Sequence, residues 1–153
     1  MRILFVCTGN SCRSVMAERY LQKRLKESGR KDVEVLSAGT SPFAGMRATE
    51  GALKALAEEG ADASDHYAKR LTRPDVTQAD LIFIMEKRHK RHVEQIDASA
   101  SGKTYFLKDF KKLGDFRISG EPDIADPVGR DIEFYRKVFS VIKSSVENVL
   151  REI

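Results

Sequence analysis

Four short apolar runs stand out along the chain: RILFV at 2–6, VEVL at 33–36, LIFIM at 81–85 and TYFL at 104–107. Runs of this length, rich in β-branched and aromatic residues, predict buried strands. Between and after them, apolar residues recur at spacings of three and four. The first such segment predicts a helix over about 14–28, with Met16, Ala17, Tyr20, Leu21 and Leu25 on one face and Gly29 as its stop. A second helix, near 46–59, turns Ala52, Leu53 and Leu56 inward and ends at Gly60. A third follows the third strand, and the last runs from Asp131 to Arg151 on a stripe of Tyr135, Val138, Ile142, Val146 and Val149. Strands alternating with helices predict parallel pairing through right-handed crossovers, hence an open α/β sandwich. Residues 108–130 form the one long irregular stretch, a length that in compact domains often carries function.

Composition narrows the picture. At 153 residues the chain fits one domain, 1–153. Its formal charge of +4 arises from many charges of both signs, a mild bias towards anionic partners. Basic clusters at Lys69, Arg70 and Arg73, and in EKRHKRH at 86–92, read as solvated faces, with His89 and His92 at the surface. No aromatics interleave with them, so no nucleic-acid partner is expected. No apolar run approaches the roughly 20 residues that span a bilayer, and MRILFVC is too short for a secretory signal. A cytoplasmic location and no membrane partner are therefore expected. The two cysteines, Cys7 and Cys12, share one turn and cannot staple distant segments. His66, His89 and His92 lie near no second cysteine pair, so neither a metal nor another cofactor is expected.

The candidate chemistry sits in FVCTGNSCRSVMAERYL, residues 5–21, where a strand delivers a tight turn into a helix. Unpaired N–H groups and the helix dipole converge at such a turn and make an anion site beyond the carboxyl end of the sheet. Gly9 and Asn10 are the residues best able to take a positive φ, which a cradle of inward-facing amides requires. The lysine of a nucleotide-binding P-loop is missing. Instead Cys7 and Arg13 bracket a loop sized for one phosphate group. Arg13 offers a planar fork to two phosphate oxygens. Cys7, facing amides, dipole and guanidinium, is expected to be a thiolate and so a nucleophile aimed at phosphorus. Cys12 either fills a small apolar space or traps an oxidised Cys7 as a reversible disulfide.

VCTGNSCRS resembles the active-site loop of the low-molecular-weight protein tyrosine phosphatases. SAG at 37–39, DHYAKRLT at 65–72, ADLIFIM at 79–85 and the Asp126-Pro127 pair resemble further landmarks of that family, in the same order. The resemblance covers nearly the whole chain. It implies a single open four-stranded parallel sheet flanked by helices on both faces, no metal, a phosphocysteine intermediate and phosphorylated protein substrates; a monomer is expected. Position by position, it makes Cys7 the nucleophile. Arg13 and the amides of Thr8, Gly9, Asn10, Ser11, Cys12 and Arg13 bind the phosphoryl oxygens, and Ser14 aids departure of the thiolate. Asn10 braces the loop together with Ser37 and His66. Asp126 matches the general acid, with Asp123 its bland neighbour, and a second cysteine at the Cys12 position is a family feature.

Three positions depart from the tyrosine-specific pattern. Ser11 replaces a bulky apolar residue, Val128 and Gly129 replace aromatics after the Asp-Pro, and Val15 replaces a proline. Phe43 resembles one aromatic rim of the substrate pocket, and Val128 stands on the other. The first two departures resemble in part the protein arginine phosphatase branch, which has a threonine at the Ser11 position and a short Asp-Pro-aromatic-Gly loop. Phosphotyrosine is the leading substrate reading and phosphoarginine the alternative. Thiol-dependent arsenate reductases share CTGNSCRS but need cysteines on a distant segment, and none exists here beyond Cys12. A non-catalytic phosphoprotein-binding module would lack the nucleophile or the acid, and both are present.

Overall fold

The computed structural model describes residues 1–153. Its elements are β1 (Arg2–Cys7), α1 (Arg13–Glu27), β2 (Glu34–Gly39), α2 (Glu50–Glu58), α3 (Arg73–Gln78), β3 (Leu81–Ile84), α4 (Lys87–Ile96), β4 (Thr104–Phe106) and α5 (Ile132–Glu152). A 3-10 turn at Ala98–Lys103 leads into β4. The four strands pair in parallel in the order β2-β1-β3-β4.

Period-two alternation sorts β1 between two apolar layers. Ile3, Phe5 and Cys7 face the layer built with α1, α2 and α5, while Leu4 and Val6 face Val76 of α3 and Val93 of α4. Helices therefore cover both faces, and the two central strands, buried on both sides, read as unbroken apolar runs. No helix is long and apolar enough to cross a membrane.

All four expected strands form, and β2 runs on through the SAG segment to Gly39. Gly29 closes α1 with φ +71°, and the Arg30 N–H reaches back to the Leu25 carbonyl at 2.9 Å. The second helix begins later than expected, at Glu50. Thr49 caps it by accepting from the Ala52 N–H, and Met46 and Arg47 are already committed to a bridge with Tyr67 and Ala68. Leu53 is only partly buried. Helix α3 was not anticipated, although its signal was present: Thr72 and Asp75 form a reciprocal capping box, with Pro74 in the first turn. No regular element occurs from Leu107 to Asp131, yet the segment is anchored, because the Ile124 N–H donates to the Met85 carbonyl at 2.8 Å. That bond brings residues 124–128 beside the carboxyl end of the sheet.

Candidate active site

Strand β1 ends at Cys7 and α1 begins at Arg13, so residues 8–12 make the turn between them. No side chain caps α1 and no acidic residue occupies its first turn. Its N–H groups are thus left to a ligand and its dipole is uncompensated. Asn10 has φ +50° and is the only non-glycine residue with a positive φ. Gly9, expected to share that conformation, does not. The side chain of Asn10 explains the difference. Its Oδ1 accepts from the Lys69 N–H at 3.0 Å, and its Nδ2 donates to Ser14 Oγ and Ser37 Oγ, each at 2.9 Å. The Asn10 carbonyl accepts from Nε2 of the buried His66 at 2.7 Å. These bonds hold the residue in the left-handed region that an inward-facing amide needs. Gly39 lets the end of β2 press against the loop, since a Cβ there would sit 2.6 Å from the Thr8 carbonyl oxygen. Backbone bonds from Thr40 N–H to the Cys7 carbonyl and from Ser41 N–H to the Thr8 carbonyl, both 2.9 Å, complete the support.

The thiol of Cys7 receives the Asn10 N–H at 3.3 Å and lies 3.0 Å from Ser14 Oγ. Ser14 Oγ already accepts from Asn10, so its own proton is free to point at the sulfur. The chain of bonds continues outward: Ser37 Oγ donates to Oε2 of the buried Glu18 at 2.6 Å.

Arg13 is 1% exposed. Its guanidinium donates to the Ile124 carbonyl at 2.7 Å and to the Glu86 carboxylate, and lies 3.3 Å from Asp126 Oδ2. Burial works against ionisation of Glu86, but hydrogen bonds from Arg88 and Arg13 outweigh it and hold this carboxyl below its usual range. Glu86 therefore fixes the fork of Arg13 in the loop. Asp126 is held by its own turn, with the Val128 N–H donating to Oδ1 at 3.1 Å. Asp123 turns aside, where its Oδ1 accepts from the Lys87 N–H at 2.9 Å and caps α4.

Cys7, Arg13 and Asp126 line one cavity of about 200 Å3 with Thr8, Gly9, Ser11 and Cys12. Phe43 and Val128 stand at its rim, joined by Met46, and Phe43 is the one aromatic side chain of the lining. Cys12 is a buried free thiol 3.2 Å from Thr49 Oγ1 and 3.5 Å from the Tyr135 hydroxyl. Burial pushes the Cys12 thiol up in pKa, against hydrogen bonds from Thr49 and Tyr135. Burial likewise pushes Tyr135 up to about 12.

All the expected loop residues, their braces, Asp126 and both rim positions thus come together. The run 86–92 is the correction. Lys87 and Arg88 are exposed as expected, but Glu86 is half-buried against Arg13 and His89 is fully buried. The missed signal was a spacing of three and four through Glu86, His89, Val93 and Ile96, which marks the inner face of α4.

A parallel α/β sheet whose first strand hands a cysteine–arginine loop to an uncapped helix, with an aspartate from a distant loop in the same cavity, defines a cysteine-dependent phosphatase architecture. The chain belongs to the low molecular weight phosphotyrosine protein phosphatase family, whose profile matches residues 2–153. It is 31% identical to the probable low molecular weight protein-tyrosine-phosphatase EpsP of Ralstonia nicotianae, over 95% of this chain and 90% of that protein. It is 37% identical to the protein-arginine-phosphatase of Bacillus subtilis, over 100% and 94% of the two chains. The solved low molecular weight protein tyrosine phosphatase from T. tengcongensis superposes with a TM-score of 0.88 at 37% identity, covering 100% of this chain and 99% of that one.

Proposed function

We propose that this protein hydrolyses phosphotyrosine in protein substrates through a phosphocysteine intermediate. One observation carries the reading: Cys7, the buried Arg13 and Asp126 line the same cavity at the uncapped N-terminus of α1. In the first step Cys7 Sγ attacks phosphorus. The S–P bond forms as the bond to the leaving oxygen breaks, and Asp126 gives that oxygen its proton. Arg13, steadied by Glu86, and the loop amides stabilise the equatorial oxygens. In the second step Asp126 takes a proton from water, the water oxygen attacks phosphorus, and the sulfur departs as a thiolate to the Ser14 hydroxyl. Asn10, Ser37 and His66 keep the cradle shaped for both steps.

Phosphoarginine is the second reading. It is favoured by a lining with Ser11 and Val128 where a ring-clamping site would carry bulkier groups, leaving Phe43 as the single aromatic wall. Comparing kcat/KM on phosphotyrosine and phosphoarginine peptides decides between them.

For the mechanism, Cys7→Ser should abolish p-nitrophenyl phosphate hydrolysis and keep phosphate binding; wild-type turnover in that variant would remove Cys7 from the reaction. Asp126→Ala should slow phenyl phosphate more than p-nitrophenyl phosphate, because the poorer leaving group depends more on the proton. Equal slowing would count against Asp126 as the acid.

Cys12 lines the cavity with Cys7, and this favours a protective role. Hydrogen peroxide would oxidise Cys7 to the sulfenic acid, and the Cys12 thiol would then displace water to form a disulfide that thiols reduce.

A further inference from the structure

His89 is the one fully buried histidine, 0% exposed, in the first turn of α4. Its Nε2 lies 2.9 Å from Thr8 Oγ1, and its Nδ1 has no hydrogen-bond partner. An apolar residue would fill this place without an unpaired nitrogen, so the bond to Thr8 is what the imidazole adds. Thr8 follows Cys7 directly and lines the cavity, and its carbonyl is held by the Ser41 N–H.

The direction of the His89 bond follows from what is left unpaired. Were Nε2 the acceptor, Nδ1 would carry a buried N–H with nowhere to donate, the rarer and costlier defect. With the proton on Nε2, the ring donates to Thr8 Oγ1, Nδ1 is a bare acceptor, and the Thr8 hydroxyl proton remains free. The groups charged or titratable around the ring are Arg13 from α1, Glu86 at the N-cap of α4, and Arg88 and His92 within α4. Burial first, then the Arg13 cation, keeps the imidazole neutral, so no second buried cation competes with Arg13 for the anion.

We propose that His89 is a positioning residue of the phosphate cradle: its Nε2–H anchors the Thr8 hydroxyl oxygen and turns the Thr8 proton into the cavity as an added donor to the bound phosphoryl group. The proposal deepens the phosphatase reading and rests on it. Thr8 would touch the phosphoryl oxygen, and His89 would act only through Thr8.

The test compares wild type with Thr8→Val, His89→Leu, His89→Gln and the Thr8→Val/His89→Leu pair. The readouts are the inhibition constant of inorganic phosphate and the separate kcat and KM for p-nitrophenyl phosphate. Thr8→Val and His89→Leu should each weaken phosphate by about tenfold, as expected for losing one hydrogen bond to a charged group. His89→Gln, whose amide N–H reaches as far, should restore most of the affinity, and the pair should be no weaker than Thr8→Val alone. Unchanged phosphate affinity in the near-isosteric Thr8→Val overturns the proposal, even where His89→Leu does not fold. So does a His89→Leu effect that is equally large in the Thr8→Val background, which marks a packing role. A wild type that binds phosphate by calorimetry but turns over no phosphate ester refutes the phosphatase reading instead, and the same affinities then still decide the role of His89.

Discussion

Asn10 shows how one residue can carry a loop. Its N–H reaches Cys7 Sγ, its carbonyl takes the His66 proton, and its carboxamide joins Lys69, Ser14 and Ser37. His89 is the counterpart on the other side of the cradle, and its burial has a thermodynamic consequence. Desolvation, then Arg13, lowers its pKa from 6.5 to about 4. The unfolded chain therefore binds a proton that the folded protein refuses across that window, and stability falls as pH drops from 6.5 towards 4. At pH 4.5 the loss from this one group should be about 2 kcal/mol. Urea unfolding at pH 7 and 4.5 checks it, because His89→Gln should lose about that much less than wild type over the same interval.

Between elements, α2 and α5 approach closely at Gly51. A Cβ on Gly51 would stand 2.5 Å from two ring carbons of Tyr135. Gly51 lies in the first turn of α2, where replacing glycine by alanine stabilises by at most about 1 kcal/mol, whereas forcing a methyl into a packed contact costs about 1–3 kcal/mol. The ring is rigid and its hydroxyl is bonded to Thr49 Oγ1 at 3.0 Å, so the clash should win. Gly51→Ala is expected to lower stability by about 1 kcal/mol in denaturant titration and to loosen the contact of Tyr135 with Cys12. Helix α4 depends on a partner outside the helix. Glu86 at its N-cap makes no cap bond, and Asp123, 36 residues beyond Lys87, accepts from the Lys87 N–H instead.

Across the whole molecule, Phe83 on the central strand β3 ties the sheet to the long loop. Its ring lies 5.6 Å from Phe5, 6.0 Å from Tyr105 and 5.0 Å edge-on from Phe110. Phe83→Ala should cost about 3–5 kcal/mol, a large share of the roughly 5–15 kcal/mol that holds a domain of this size together. Chemical denaturation measures the loss. Reduced p-nitrophenyl phosphate turnover is expected with it, since Phe110 lies in the segment that brings Ile124 and Asp126 to Arg13.

The sequence by itself determined the four strands, the inward faces of α1 and α5 and the place of the phosphate loop, because periodicity and turn chemistry act within a few residues. Periodicity sorts inside from outside, glycine ends a helix, and a strand followed by a cysteine–arginine turn makes an anion site wherever the sheet is parallel. Tertiary structure decided what reaches that loop from far along the chain. Glu86 and His89 sit in a basic run whose composition reads as solvent-facing although their spacing with Val93 and Ile96 marks an inner face, and the docking of α4 against β1 and β3 turns them onto Arg13 and Thr8. The Asp-Pro pair singled out Asp126 over Asp123 by resemblance, and the physical separation comes with the Ile124–Met85 bond, beside which Asp123 caps a helix and Asp126 enters the cavity. Local pattern encodes direction along one element, whereas the choice between two similar side chains is made by contacts whose partners lie tens of residues away.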